Sequence, residues 1–268
     1  MRRRPSRAWV RGAVAFLLAG TGGALAPAAA QAATPAVAAS ACSTDTGAKG
    51  LAGGPVAGSL VQVPRSDGRV DQLQLFYDPS AMGGLPFVWH REQAAPGEAY
   101  GPWTRVSAAT VGPKSYYLTA IENSAGQVEI LFSTYGQFCH SVRNADGPGW
   151  SEPDNFGLAP GPYMGGVVLF QERDGTIDAF AASMKTGSSM EVRSQYDAGA
   201  GWGPVTSMGQ VPETGIGLSQ PSTISQLPDG RVHLTVHEWN RETRYWQITQ
   251  DSPGGPWGPW QLCGTVCE

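Results

Sequence analysis

A glycine turn recurs four times along this chain: "SDGRV" at 66–70, "SAGQV" at 124–128, "RDGTI" at 173–177 and "PDGRV" at 228–232. Internal repetition constrains a fold more than a single motif does, because every copy must build the same local unit. Each turn leads into an extended run ("DQLQLFY", "EILFSTY", "DAFAASM", "HLTVHEW") and then a second ("PFVWHREQ", "QFCHSVRN", "SMEVRSQY", "TRYWQITQ"). A Gly/Pro stretch with an aromatic closes the unit: "PGEAYGPW", "DGPGW", "DAGAGW" and "PGGPWGPW". Upstream of each turn lies one more run, "SLVQVP", "YYLTAIE", "GGVVLFQE" or "STISQLP". Four short strands in about 50 residues is the size of one propeller blade.

A lone four-stranded sheet has two partly apolar faces and cannot bury either by itself; stacked neighbours bury both. The expected fold is therefore all-β, a β-propeller of about four blades of four antiparallel strands. The blades fall at approximately 53–108, 109–158, 159–210 and 211–264. The 36 glycines and the lack of long helical periodicity agree with it. Tyr100, Trp103, Trp150, Trp202, Trp257 and Trp260 are expected as packing wedges between neighbours. In the first unit the apolar residues Leu73 and Leu75 fall out of phase with Val70. That pattern predicts a bulge and removes Asp71 from equivalence with its counterparts.

The ends of the chain carry other signals. "MRRRPSRAWVR", the apolar "GAVAFLLAG" and the small-residue site "AQA" read as an export signal over 1–32. Residues 33–52 are small, polar and Ala-rich, a flexible arm, and 53–268 form the propeller domain. Of the 18 basic residues, five arginines lie in the leader, so beyond residue 32 there are 13 against 22 acids, a net charge near −9. Such a balance repels phosphate backbones and anionic lipid, which disfavours nucleic-acid and membrane partners. In a secreted protein Cys42, Cys139, Cys263 and Cys267 suggest up to two disulfides, with three full pairings. A bridge from Cys42 to Cys263 or Cys267 would tie the ends of the folded region together.

"PDGRVHLTVHEW" holds two histidines four apart, which on a helix would suit zinc. Its alternation instead indicates a strand, with Val232, Leu234 and Val236 on one face and His233, Thr235 and His237 on the other. Residues four apart on a strand stand about 13 Å apart, too far for one ion. Moreover, the position three past the turn glycine is polar in every unit (Asp71, Glu129, Asp178, His233), which marks a feature of the repeat. No metal or other cofactor is expected. His90 and His140 sit in second strands, as half-buried residues or as sugar-facing donors.

The fourth unit, "DGRVHLTVHEW…RYWQITQDSPGGPWGPWQL", resembles the blade repeat of the PLL-like (fucose-binding type) propeller lectins over nearly its whole length; the other three match in part. The resemblance implies a secreted lectin-like protein that binds carbohydrate, fucosylated or other cell-surface glycans among them, in pockets between adjacent blades. Carried over by position, the candidate ligand-binding residues are Trp89, His90, Trp103, Arg231, Trp246, Gln247, Trp257 and Trp260. Repeated shallow sites would act through multivalency. No catalytic residue is assigned. Two alternatives come from other classes. A glycoside hydrolase would draw on Glu129, Asp178 or Glu238 as a carboxylate pair. A protein-binding scaffold would use the loop-rich faces.

Overall fold

The computed structural model describes residues 42, 51, 53–79, 84–112, 117–134, 137–145, 147, 149–158, 166–183, 188–199, 201–213, 217–239, 241–264 and 267. The expected leader and most of the arm lie outside the described residues. The chain is all-β, with four four-stranded antiparallel sheets, each a simple meander of consecutive strands. The first contains β1 (Val61–Pro64), β2 (Val70–Tyr77), β3 (Pro86–Glu92) and β4 (Thr104–Thr110). The second contains β5 (Leu118–Glu122), β6 (Val128–Ser133), β7 (Phe138–Val142) and β8 (Asp154–Asn155). The third contains β9 (Val167–Gln171), β10 (Ile177–Ser183), β11 (Ser189–Ser194) and β12 (Thr206–Gln210). The fourth contains β13 (Leu218–Gln226), β14 (Val232–Glu238), β15 (Arg241–Thr249) and β16 (Gln261–Gly264).

The glycine turns join the first two strands of every sheet. Gly68, Gly126, Gly175 and Gly230 have φ of 85°, 74°, 91° and 91°, a region that costs a side-chain-bearing residue about 1–2 kcal/mol. In three of the turns the Asp Oδ1 accepts the backbone N–H two residues on, from Arg69, Thr176 and Arg231. A side chain that mimics a turn in this way explains why Asp precedes the glycine.

The sheets pack in chain order, through one apolar layer per junction. Leu73, Leu75 and Val88 of the first sheet meet Val128, Ile130 and Phe132 of the second. On the second sheet's other face, Leu131, Phe138 and Phe156 meet Val167, Ala179 and Ala181 of the third. Phe180, Met190 and Val192 then meet Val232, Leu234, Val236 and Trp246 of the fourth. The first strands also follow one another, β1 against β5, β5 against β9 and β9 against β13. Among the described residues, no apolar cluster joins the fourth sheet to the first. Trp150, Trp202 and Trp257 each pack into one junction, as wedges should.

This order accounts for the odd phase of the first unit. β2 pairs with β1 and β3 in unbroken register, so the bulge expected after Val70 is absent. Asp71, Leu73 and Leu75 share the face turned to the second sheet. Gln72, Gln74 and Phe76 share the opposite face, against which no other sheet packs among the described residues, and polar residues are tolerated there. Asp71 is thus a true counterpart of Glu129 and Asp178. The fourth sheet mirrors it: Val232, Leu234 and Val236 are buried, whereas His233 and His237, on the face against which no further sheet packs among the described residues, are half-buried.

The cysteines pair as Cys42–Cys139 and Cys263–Cys267. The expected bridge between the ends of the domain is therefore replaced by one that ties the arm to β7. Disulfides fit an extracellular protein. No helix among the described residues is long and apolar enough to cross a membrane.

Candidate functional site

Each junction carries a polar site at the end of the sheets that bears the glycine turns. It is built from equivalent positions: the residue three past the turn glycine, a β3-type residue across from it, and an aromatic supplied by the following sheet. Comparing the three junctions separates closed structural sites from an open one.

At the first junction Asp71, fully buried, is held by Arg65 at 2.9 Å, by Arg143 of the second sheet at 3.4 Å and by His90 at 3.6 Å. Burial opposes its ionisation, but His90 and the two guanidinium groups outweigh that and hold its pKa below the ordinary carboxylate value. Trp150 stands edge-on to His90, with ring centroids 5.3 Å apart. Arg65 also binds Glu122 at 2.8 Å, and Arg143 binds Glu92 at 2.5 Å.

At the second junction Glu129 accepts four hydrogen bonds. Asn123 Nδ2 and Gln195 Nε2 reach its Oε1, each at 2.8 Å. His140 Nε2 and Trp202 Nε1 reach its Oε2 at 2.9 and 3.0 Å. Burial again raises the carboxyl's pKa, yet His140, Asn123 and Trp202 overcome it and leave it lowered. The imidazole mirrors this: burial lowers its pKa, but Asp154 and Glu129, one on each ring nitrogen, leave it raised. Every oxygen is occupied, so Glu129 is a staple between sheets with nothing left to offer a substrate.

The third junction is different. A cleft of about 1100 Å³ opens between the third and fourth sheets. Asp178 is the buried carboxyl here, and its immediate partners are Ser194 and the carboxyl of Glu172. Val192 stands where His90 and His140 stand in the other two junctions, as the strand register shows. Glu172 replaces the pre-turn Arg65 and Asn123, and Gln250 replaces Arg143 and Gln195. Among the described residues, neither Glu172 nor Asp178 forms an ion pair. Burial first, and then Asp178 beside it, pushes Glu172 up to about 7; burial likewise raises Asp178, against the pull of Ser194 and Glu172. Burial and mutual repulsion thus make the pair hold a proton more tightly than either acid would alone. Gln226 Nε2 donates to Glu172 at 2.8 Å. Trp257 and the Pro253–Gly255 loop form the opposite wall, and Tyr196, 69% exposed, stands at the mouth.

The sequence-derived candidates scatter across the molecule. Trp257 and Trp260 line the cleft, although Trp260 is buried and its Nε1 donates to the carbonyls of Met208 and Gly209. Trp246 is buried in the apolar layer and donates to Glu238. Gln247, on the opposite face, donates to Gln261. Arg231 is held by Asp229 at 2.8 Å and donates to the Gln250 carbonyl. His90 belongs to the first junction. Trp89 and Trp103 pack with Phe76 and Phe87 in a separate apolar cluster on the first sheet's face turned away from the second, where Arg91 stacks over Trp103. Sequence reasoning missed Glu172, Gln226 and Gln250. Lining up the pre-turn residues Arg65, Asn123, Glu172 and Leu227 would have exposed Glu172, an acid beside the acidic repeat position.

Chemically, the cleft offers an indole wall, amide donors and acceptors, and a proton-sharing acid pair. Asp178 and the other two carboxylates open to a hydrolase reading, Glu129 and Glu238, are only 3%, 3% and 4% exposed.

No protein-family model matches the chain, and no curated protein matches it in sequence. Among solved structures it is similar to the α-L-arabinanase of Penicillium chrysogenum complexed with arabinobiose, at 14% identity and TM-score 0.52 over 79% of this chain and 69% of that one. It is similar to the NanB sialidase of Streptococcus pneumoniae at 8% identity and TM-score 0.53, over 81% of this chain and 53% of the sialidase. A third likeness is to an ulvan lyase complexed with a GlcA–Rha3S saccharide, at 11% identity and TM-score 0.52, over 80% and 58% of the respective chains. The chain therefore spans little more than half the length of the sialidase and the lyase. Identities this low establish a shared fold and nothing about activity.

Proposed function

We propose that this is an exported carbohydrate-binding protein of the lectin type, whose four sheets are propeller blades and whose ligand seats between the third and fourth. The observation that carries the reading is the cleft itself. There Trp257 lines open space of about 1100 Å³ together with Tyr196, side-chain amides and carboxyls, the combination that sugar recognition requires. Three solved structures similar to the chain are an arabinanase complexed with arabinobiose, a sialidase and a polysaccharide lyase bound to a saccharide, which supports a glycan as the ligand. The partial match to the PLL-like repeat, best in the fourth blade, supports the same placement, because Trp257 and Trp260 belong to that blade.

A glycan array probed with the mature chain tests the proposal, with Trp257→Ala as the control. Retention of at least one glycan class, lost in the variant while thermal stability is kept, is the expected outcome. Glycan retention that survives Trp257→Ala would move the site elsewhere, and silence across the array would leave the scaffold reading in its place.

A further inference from the structure

The three junctions are built from the same positions, so the residues missing from one of them are informative. Asp71 faces two arginines and a histidine, and Glu129 faces a histidine and three neutral donors. The third junction keeps the buried acid, adds Glu172, and has Val192 where the base stood. Its charged rim is acidic as well. Asp174 and Asp229 line the cleft beside the pair, while the cleft's arginine, Arg173, is turned to the carbonyls of Leu227 and Gln226 at 3.1 and 3.0 Å. Arg231 nearby is engaged by Asp229. The other polar groups on the cleft wall are neutral, among them Tyr196, Ser194, Thr206 and the amides of Gln226 and Gln250. Carboxyls are in excess here, and a compact donor with a positive charge is what the site lacks.

We propose that the cleft between the third and fourth sheets takes an amino sugar, whose ammonium group sits between Glu172 and Asp178 in the place that a protein base fills at the other two junctions. This inference rests on the sugar-binding reading of the cleft and adds its ligand class. On binding, the ammonium donates to both carboxylates and the proton they share leaves to solvent. Trp257 packs against the ring that carries the amine. N-acetylation removes the charge and adds bulk at the same atom, so the acetylated sugar is rejected.

Calorimetric titration of the mature chain at pH 6 with a β-1,4-linked glucosamine tetrasaccharide, repeated in two buffers of different ionisation heat, is the test. A sugar amine is protonated at that pH, which also lies below the raised value of about 7 for Glu172. The amino oligomer should bind at least about tenfold more tightly than its fully N-acetylated form, with release of roughly one proton. Glu172→Gln replaces a protonated carboxyl with an isosteric amide and should fold as well as the parent. It should lose about tenfold in affinity and all of the proton release. Equal binding of the amino and acetylated oligomers, or no effect of Glu172→Gln on either quantity, would overturn the inference while leaving the Trp257-dependent glycan result untouched. Calcium chloride producing the same proton release and blocking the oligomer would overturn it in favour of a metal site. No glycan binding of any kind would remove the underlying reading, and this inference with it.

Discussion

Glu129→Gln is the substitution with the most to say about how the sheets are held together. The carboxylate is 3% exposed and takes two hydrogen bonds from its own sheet and two from the next, through Gln195 and Trp202. A glutamine of the same shape offers one acceptor oxygen and one donor amide. If the oxygen keeps His140 and Trp202, the new amide faces the amides of Asn123 and Gln195. Gln195 can turn its unpartnered Oε1 inward, but Asn123 Oδ1 is already engaged by the backbone N–H groups of Ala125 and Gln127. One buried donor is then stranded at about 1–3 kcal/mol, and the charge assistance to His140 is lost, for a total of about 2–4 kcal/mol. For a domain of this size that is a drop of roughly 5–15 °C in Tm. Thermal unfolding by circular dichroism measures it. Glycan binding, which we place at the third junction, should be unchanged in the folded variant. A Tm within about 2 °C of the parent would refute the claim that Glu129 staples the second sheet to the third.

Two further outcomes follow from the same geometry. His140 has its folded pKa raised above the ordinary 6.5, so its contribution to stability is complete below that pH and is lost as pH rises through the folded value. The Tm difference between the parent and His140→Gln should therefore shrink from pH 6 to pH 9, and a difference that widens on that side would show the sign to be wrong. Loss of the Cys42–Cys139 bridge, which closes a sequence separation of 97, should cost about 3–5 kcal/mol in a Cys42→Ser/Cys139→Ser variant. Removing Cys263–Cys267, with a separation of 4, should cost far less, and peptide mapping that found Cys42 joined to either C-terminal cysteine would contradict both figures.

Much of the architecture could be read before any coordinates. The sheets follow from alternation and from turns whose glycines must adopt positive φ, and both are local properties of a strand pair. His233 and His237 could be dismissed as zinc ligands on the same grounds. Which face of each sheet is covered is not local. The polar phase of Gln72 and Gln74 resembled a bulge until the structure placed them on the face turned away from the second sheet, because a strand cannot report whether a neighbour stands over it. Cysteine pairing escaped for a related reason, since a bridge depends on where the arm crosses β7.

The candidate site divides along the same line. Trp257 and Trp260 were legible because their spacing belongs to the repeat, and both line the cleft. Glu172 was not, because an acid before a turn is unremarkable until its neighbours are known. Repeat and alternation in the amino-acid sequence determined the four sheets and the acid carried by three of them. Only packing decided which of those acids meets a base. A charge is balanced or left wanting by groups within a few ångströms, and those groups come partly from the next strand of the same sheet, as His90 and His140 do, and partly from the following sheet, as Arg143 and Gln195 do.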